Sequence, residues 1–287
     1  MMKNFNPQEI KALVLDLDGT TLLPGAVLGD RTEACLKKLI SQGMRVVFAT
    51  GRSVESALPY CNAVGAGGAM IFFNGAVVAD IPSCQVLDAD LLDIEVADFG
   101  TDLARSMDVH YQIYLPAGVL KSGEKWEPLV IDREREESLA YFKHTGTPAV
   151  VMDLKKAVAG APGCVKAMFL ADGSRHEEIK EKMYAKFGGR INLIRSTPTF
   201  LEVLKAGVSK GKGLRTVMGR LGLAASQVMA FGDEENDLDM FKVAGFSAAP
   251  SSAKDTVREA AGLVFGSSAE EGLAVYLEKT FGDWVPG

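Results

Sequence analysis

The sequence contains few of the residues that usually form disulfides or hold transition metals: four cysteines and three histidines in 287 residues. The cysteines are scattered along the chain, with no close pair. A disulfide framework or a zinc site would need such residues at short, regular spacing. We therefore expect Cys35, Cys61, Cys84 and Cys164 to be reduced thiols in packed positions.

The sequence also lacks an excess of positive charge and any apolar run long enough to span a bilayer. Its formal net charge is -6, whereas nucleic-acid surfaces need clustered Lys and Arg. A membrane-spanning helix needs about 20 consecutive apolar residues, and the polar start "MMKNFNPQEIK" lacks the apolar middle of a secretory signal. These absences predict a cytoplasmic protein that binds neither nucleic acid nor membrane.

What is present is an alternation of apolar strands and amphipathic helices at both ends of the chain. The first third contains three predicted strands, "ALVLDLD", "RVVFATG" and "AMIFFNG", separated by two predicted helices, "RTEACLKKLISQGM" and "SVESALPYCNAVG". The last third continues with a helix, a strand and a helix, "KGKGLRTVMGRLG", "QVMAFGD" and "NDLDMFKVAG". This alternation predicts an α/β fold with a Rossmann-like, doubly wound parallel sheet.

The middle of the chain has a different pattern. Longer and more alternating strands, such as "HYQIYLP" and "CVKAMFLAD", accompany two charged helices, "REREESLAYFKHTG" and "SRHEEIKEKMYAKFGG". This mixture predicts an α+β unit whose sheet is covered on one face by the two helices. We interpret it as a second domain, residues 84–200, inserted into a core made of residues 1–83 and 201–287.

Four short segments carry polar residues suited to an active site. Residues 16–20 and 50–52 follow the first two strands, Lys210 begins a helix, and residues 232–240 follow the strand of the last third. Ligands of open α/β sheets bind at the carboxyl ends of the strands. The topology therefore predicts that the four segments meet in one crevice.

The side chains in these segments suit a hard divalent cation and a phosphate group. Carboxylates without cysteine or histidine partners favour an ion with oxygen ligands, above all Mg2+. A lysine with hydroxyl or backbone N–H groups beside such an ion suits a phosphate dianion. Asp233, Asn236 and Asp237 are spaced i, i+3 and i+4, so we expect them on one face of a helix start.

Together these segments resemble the four motifs of the haloacid dehalogenase superfamily in its phosphatase form. The stretches "DLDGT", "ATGR", "NGA", "GVSKGKGL" and "GDEENDLDM" are similar to the Cof-like branch, which carries a large α/β cap after the third strand. The similarity covers most of both core segments, whereas the cap matches mainly in size and position. One mild departure is the pair Glu234 and Glu235, which adds negative charge near the metal.

The resemblance implies a role for each matched residue. Asp16 would be the nucleophile, and Asp18 the general acid and base. The implied Mg2+ ligands are Asp16, Asp18 (through a main-chain oxygen), Asp233 and Asp237. The implied phosphate-binding residues are Leu17, Thr50, Gly51, Lys210 and Asn236.

The physical chemistry of the two N-terminal carboxylates agrees with these roles. Asp16 and Asp18 are two residues apart, so an extended strand end would turn both to one face. Mg2+ and Lys210 would neutralise the phosphoryl oxygens and let an anionic carboxylate approach them. A phosphorylated aspartate divides the hydrolysis into two easier displacements, and a neighbouring acid protonates the departing oxygen.

The leading hypothesis is a Mg2+-dependent phosphomonoesterase that acts on a small phosphorylated metabolite, with a sugar phosphate as the expected class. A large cap would cover the crevice, which disfavours macromolecular substrates. A phosphosugar mutase of the same superfamily stays open. Asp18 counts against a dehalogenase, and Asp18 with the cap-sized insertion counts against a signalling module switched by phosphorylation of Asp16.

The sequence leaves the substrate-recognising residues and the assembly state open. The stretch "LPAGVLKSGEKWE", residues 115–127, contains Lys121, Lys125 and Trp126. These residues form either a substrate-recognising edge of the cap or an ordinary exposed hairpin. We expect a monomer or a small homo-oligomer.

Overall fold

The computed structural model describes residues 5–118 and 128–284. Lys121, Lys125 and Trp126 lie outside the described residues. The strands are β1 (Ala12–Leu15), β2 (Arg45–Phe48), β3 (Gly68–Phe72), β4 (Val77–Ile81), β5 (Gln85–Ala89), β6 (His110–Tyr114), β7 (Leu129–Ile131), β8 (Ala149–Val151), β9 (Lys166–Leu170), β10 (Ile191–Arg195), β11 (Phe200–Lys205), β12 (Val228–Phe231), β13 (Phe246–Pro250) and β14 (Leu263–Phe265). The helices are α1 (Asp30–Ser41), α2 (Val54–Val64), α3 (Ile94–Met107), α4 (Glu136–Thr145), α5 (Leu154–Val158), α6 (His176–Phe187), α7 (Lys210–Leu221), α8 (Leu238–Val243), α9 (Asp255–Ala260) and α10 (Gly272–Phe281).

The described chain divides into two compact units. The first contains residues 5–51, 57–88 and 209–284, and the second contains residues 52–56, 89–118 and 128–208. The main boundaries therefore lie several residues beyond the 83/84 and 200/201 junctions that the sequence predicts. The difference has a physical cause. Strand β5 pairs with β4 and stays with the first unit, whereas β11 pairs with β9 and β10 and stays with the second.

The first unit contains the predicted parallel sheet. Its strand order is β14-β13-β12-β1-β2, and the paired strands run parallel. All residues of β1 and β12 are buried, as expected for strands covered on both faces. The chain moves from β1 to β2 in one direction and from β12 to β13 in the other. Right-handed crossovers therefore place α1 and α8 on opposite faces.

The third predicted strand only touches this parallel sheet. Strand β3 is parallel to β2 through a single bridge between Ala49 and Ile71, supported by the Thr50 N–H, which donates to the Ile71 carbonyl at 2.9 Å. Otherwise β3 pairs antiparallel with β4 in a three-stranded sheet, β3-β4-β5. The end of β3 is thereby fixed beside the end of β2.

The second unit is built on a six-stranded sheet in the order β10-β11-β9-β6-β7-β8. Its described pairs are antiparallel except β7 and β8, which are parallel. One face of the sheet packs against α3, α5 and α6 and holds an apolar core that includes Tyr111, Phe169 and Val203. In the described residues, neither unit has a helix that is both long enough and apolar enough to cross a membrane.

The predicted helical cover of this sheet is partly wrong. Helix α6 lies on the apolar face, but α4 contacts the other face through Tyr141. The hydroxyls of Tyr141 and Tyr114 are 2.8 Å apart, and the rings of Tyr141 and Phe200 are 5.4 Å apart. Tyr114 and Phe200 alternate along their strands with residues of the apolar core, so they point the opposite way. Helix α3, absent from the sequence prediction, covers the apolar face with α6.

The face that α4 contacts contains a buried ion pair. Lys166 Nζ lies 3.3 Å from a Glu202 carboxylate oxygen and 5.5 Å from the centre of the Tyr114 ring. Lys166 is 3% exposed and Glu202 5%. Burial would lower the pKa of Lys166, but the charge of Glu202 raises it above its ordinary value. Lys166 therefore keeps its charge in the buried position, and it depends on Glu202 because water is largely excluded there.

We predict that Glu202→Gln destabilises the chain by about 3–5 kcal/mol because it leaves the Lys166 ammonium buried without its partner. The double variant Lys166→Met/Glu202→Met should be more stable than Glu202→Gln, since it removes both charges. Urea unfolding followed by circular dichroism measures both changes.

Glu178→Gln is the matched control in the same unit. Glu178 pairs with Lys182 at 2.8 Å, but these side chains are 48% and 47% exposed. We expect this control to change the free energy of unfolding by less than about 0.5 kcal/mol. Equal stability of Glu202→Gln and wild type would contradict the prediction.

Candidate active site

The site begins where β1 ends. The Asp16 N–H donates to the Phe231 carbonyl at 3.0 Å, which extends the pairing of β1 with β12 by one residue. Strand β1 is also where the chain order reverses, since β2 lies on one side of it and β12 on the other. Such reversals open a crevice at the carboxyl ends of the strands. Asp16 therefore lies at the rim where a ligand would bind, although it is only 5% exposed.

The turn after Asp16 directs the next residues away from the strand. The Leu22 N–H closes the turn by donating to the Leu17 carbonyl at 2.8 Å, and Gly19 adopts a φ of 78°. Leu17 is buried, whereas Asp18 is exposed in the turn. The backbone is extended at both Asp16 and Asp18, with ψ angles of 152° and 128°. The strand itself stops at Leu15 and Asp18 belongs to the turn, so a common direction of the two carboxylates stays a prediction.

A buried lysine joins two of the predicted carboxylates. Lys210 Nζ donates to Asp16 Oδ1 at 2.5 Å and to Asp237 Oδ1 at 2.7 Å. Lys210 is 1% exposed and Asp237 is fully buried. Lys210 is the first residue of α7, and the Ser209 hydroxyl caps that helix by accepting from the Lys212 N–H at 3.2 Å. The start of α7 is thus anchored to the end of β1.

Asp237 closes the turn that follows β12. Its Oδ2 accepts hydrogen bonds from the Asp233 N–H at 2.9 Å and the Glu234 N–H at 3.0 Å. Helix α8 begins only at Leu238. A one-turn 3-10 helix, Glu235–Asp237, leads directly into α8, so Asn236 and Asp237 lie in the helix start that the sequence predicts. Asp233 lies in the turn just before it, where Asp237 binds its backbone.

Asp233 is held from the opposite side by the turn after β1. The Thr20 hydroxyl donates to Asp233 Oδ1 at 2.8 Å. The sequence predicts no separate role for Thr20, whose only signal is its place in "DLDGT". A side chain at Gly19 would collide with the Asp233 carboxylate. The absence of a Cβ at Gly19 therefore allows the two turns to pack closely.

The described residues contain one cluster of carboxylates that could hold a metal ion, formed by Asp16, Asp233 and Asp237. One oxygen from each lies within 4.8 Å of the others. Burial raises the pKa of Asp16 well above its ordinary value, against the opposing charge of Lys210. Burial also raises the pKa of Asp233 to about 6. For Lys210, burial would lower the pKa, but Asp16 and Asp237 raise it above its ordinary value.

These charges fit a hard divalent cation. The cluster contains three acidic groups and one ammonium, so it retains net negative charge when ionised. Its donor atoms are oxygens, which is the ligand set that Mg2+ prefers. A cation bound there would favour the ionised carboxylates and so oppose the effect of burial on the pKa of Asp16 and Asp233.

Three of the predicted phosphate-binding residues follow the strands on either side of β1. Thr50 and Gly51 follow β2, and Asn236 follows β12. Thr50 is 1% exposed. The Asn236 amide donates to Asn74 Oδ1 at 2.9 Å, which links the turn after β12 to the end of β3. Asn74 has no predicted role beyond its place in "NGA", so the structure adds this residue to the site.

Comparison with known proteins identifies the family. The model of the haloacid dehalogenase-like hydrolase family matches residues 13–277. The chain belongs to the haloacid dehalogenase-like hydrolases. The matched range includes the predicted site residues of this hydrolase, from Asp16 to Asp237. The resemblance on which the sequence analysis relied is therefore confirmed.

Curated and structural relatives of this hydrolase agree with that assignment. It is 28% identical to HMP-PP phosphatase from Cronobacter sakazakii over 230 residues, which cover 80% of each chain. The crystal structure of TM0651 from Thermotoga maritima is 29% identical, with a TM-score of 0.82, 94% of this chain covered and 97% of that one.

A second solved structure, a haloacid dehalogenase-like hydrolase from Bacteroides thetaiotaomicron, has a TM-score of 0.85 at 25% identity. The match covers 95% of this chain and 100% of that one. The α/β fold class is therefore confirmed. Family membership together with the curated relatives shows that the chain is a hydrolase of the phosphatase type.

We predict that Gly19→Ala lowers kcat/KM by at least about tenfold, because the added methyl group displaces Asp233. Gly25→Ala is the matched control. Its φ of 81° is close to the 78° of Gly19, but its Cβ would meet open space. Both variants should lose about 1–2 kcal/mol of unfolding free energy from the left-handed backbone. Assays with a chromogenic phosphate ester and urea unfolding separate the two effects, and equal kcat/KM values would contradict the prediction.

Proposed function

We propose that this hydrolase is a Mg2+-dependent phosphomonoesterase that cleaves a small phosphorylated metabolite through an aspartyl-phosphate on Asp16. Its main support is the buried ammonium of Lys210, which lies between Asp16 and Asp237 beside the carboxylate of Asp233. A carboxylate that attacks a phosphate group needs positive charge at the site because both reactants are anions. Lys210 supplies part of that charge and holds Asp16 in place.

The proposed ligands of Mg2+ are the side chains of Asp16 and Asp233 and the main-chain oxygen of Asp18. Asp237, which the resemblance also implies as a ligand, already accepts hydrogen bonds at both carboxylate oxygens. Its role in this proposal is to hold Lys210 and the Asp233 backbone in position. Bound Mg2+ would neutralise charge on the phosphoryl oxygens.

In the first proposed step, an Asp16 oxygen forms a bond to phosphorus while the bond between phosphorus and the ester oxygen breaks. Asp18 donates a proton to the departing oxygen. In the second step, a water oxygen attacks the phosphorus, the bond to Asp16 breaks, and Asp18 takes the proton from water. The exposed position of Asp18 in the turn supports this role because a proton there can exchange with solvent.

The proposed phosphate ligands are the Thr50 hydroxyl, the backbone N–H groups of Leu17 and Gly51, the Lys210 ammonium and the Asn236 amide. Their positions support this assignment, since they follow β1 and its two neighbours in the sheet or begin α7. Donors from both sides of Asp16 could hold a tetrahedral group in line with its carboxylate. A sugar phosphate is the proposed substrate class. A cytoplasmic location and a monomer or small homo-oligomer complete the proposal.

We predict that Asp16→Asn lowers the rate of phosphate release by about a thousandfold or more, because it removes the nucleophile. Excess chelator should abolish turnover, and added Mg2+ should restore it. Phosphate release over a panel of sugar phosphates, nucleotides and cofactor phosphates measures both effects. Asp239→Asn is the control, since that carboxylate is 51% exposed and pairs with Lys242 on the surface of α8.

Full turnover in Asp16→Asn, or in chelator, would contradict the proposal. The same panel distinguishes the alternatives. A phosphosugar mutase would convert one sugar phosphate into an isomer and release little free phosphate. A signalling module would form a long-lived phosphoprotein after exposure to acetyl phosphate.

A further inference from the structure

Three consecutive residues after β3 have a left-handed backbone. The φ angles are 50° at Phe73, 57° at Asn74 and 96° at Gly75. We call residues 73–75 the left-handed turn. Residues other than glycine seldom adopt this conformation, and asparagine is among the few that tolerate it. Strained backbone of this kind persists where the surrounding structure requires it, often beside functional sites.

The left-handed turn contacts three of the segments that the proposed function uses. The Asn74 N–H donates to the Thr50 carbonyl at 2.9 Å. The Asn74 side chain packs against Gly51, the residue after Thr50: a Cβ at Gly51 would lie only 3.1 Å from Asn74 Oδ1. Gly75 packs against the Ser209 carbonyl so closely that no Cβ would fit there. The left-handed turn therefore contacts both the segment that follows β2 and the residue that precedes α7.

The third contact is the hydrogen bond between Asn236 and Asn74 Oδ1. An amide nitrogen carries two hydrogens, and this bond uses one of them. Asn236 Oδ1 is buried and has no hydrogen-bond partner among the described residues. If the Asn236 amide were rotated, its oxygen would face the oxygen of Asn74, and two acceptors would repel each other. The hydrogen bond to Asn74 therefore turns the nitrogen of the Asn236 amide towards Asn74 and its oxygen away.

We propose that Asn74 is a positioning residue for the phosphate-binding side of the site. Its backbone holds Thr50, its amide packs on Gly51, and its side-chain oxygen orients the Asn236 amide. Asn74 is itself 3% exposed, so this geometry does not depend on solvent. Glycine could adopt the positive φ at this position, but asparagine adopts it and also supplies the acceptor oxygen for Asn236. The inference rests on the proposed function, because it concerns how a phosphate group is bound.

The test is Asn74→Gly, which keeps a residue suited to positive φ and removes the amide. We expect the KM for a chromogenic phosphate ester and the Kd for inorganic phosphate each to rise about tenfold, or about 1.4 kcal/mol. The value of kcat should change less. The Mg2+ concentration for half-maximal activity should stay the same, because Lys210 and Thr20 still hold the acidic cluster. A merely structural role would not produce this pattern.

Cys84→Gly is the matched control. Cys84 also has a left-handed backbone, with a φ of 57°, in the turn between β4 and β5 of the same unit. The same relief of backbone strain there should leave the KM and the Kd for inorganic phosphate unchanged. A folded Asn74→Gly variant with wild-type KM and Kd would overturn the inference, and so would a loss confined to kcat.

Asn74→Asp is a second variant that keeps the inference testable if Asn74→Gly fails to fold. It retains an acceptor oxygen for Asn236 but places a carboxylate beside Gly51. We expect inorganic phosphate to bind at least about tenfold more weakly, because like charges repel. Wild-type binding by this variant would also overturn the inference.

Measurements on the wild-type protein distinguish failure of this inference from failure of the proposed function. A wild type that neither hydrolyses phosphate esters nor binds inorganic phosphate would remove the proposed function itself. A wild type that does both, with an Asn74→Gly variant of equal KM and Kd, would remove only the role of Asn74.

Discussion

One buried ammonium group determines how the candidate active site is assembled. Lys210 donates to both Asp16 and Asp237, and all three residues are at most 5% exposed. Charges in such a place are stable only as a set, since removal of one leaves another without compensation. Because Asp16 follows β1, Lys210 begins α7 and Asp237 precedes α8, the same ion cluster also fixes three elements of the first unit.

The parallel sheet supplies the rigidity that this cluster needs. Strands β12, β1 and β2 are neighbours, and the polar turns follow them at the same edge. The turns then hold each other: Thr20 binds Asp233, Asp237 binds the backbone of its own turn, and Asn236 binds Asn74. Side chains held by such mutual bonds lose little further freedom when a ligand binds, which favours precise alignment of reacting groups.

The sequence was sufficient to predict the parallel core and the meeting of Asp16, Asp233 and Lys210, because these residues follow strands or begin a helix. It was not sufficient to predict their partners. The bond from Asn236 to Asn74 joins residues 162 positions apart and depends on how turns pack. Helix α4 was misplaced for a similar reason. The pattern of residues 136–145 shows that a helix forms, but not on which face of a sheet it packs. The contacts of Tyr141 with Tyr114 and Phe200 show that it packs on the face opposite the apolar core.

The division of the first unit into distant stretches has a consequence for synthesis of the chain. Asp16 and Lys210 are separated by 194 positions, and the whole second unit lies between them in the sequence. While the chain grows, β1 can pair with β2, but its other edge must wait for β12. An apolar strand with an open edge is a template for aggregation. The open edge of β1 therefore stays exposed to other chains until β12 has been synthesised and can pair with it.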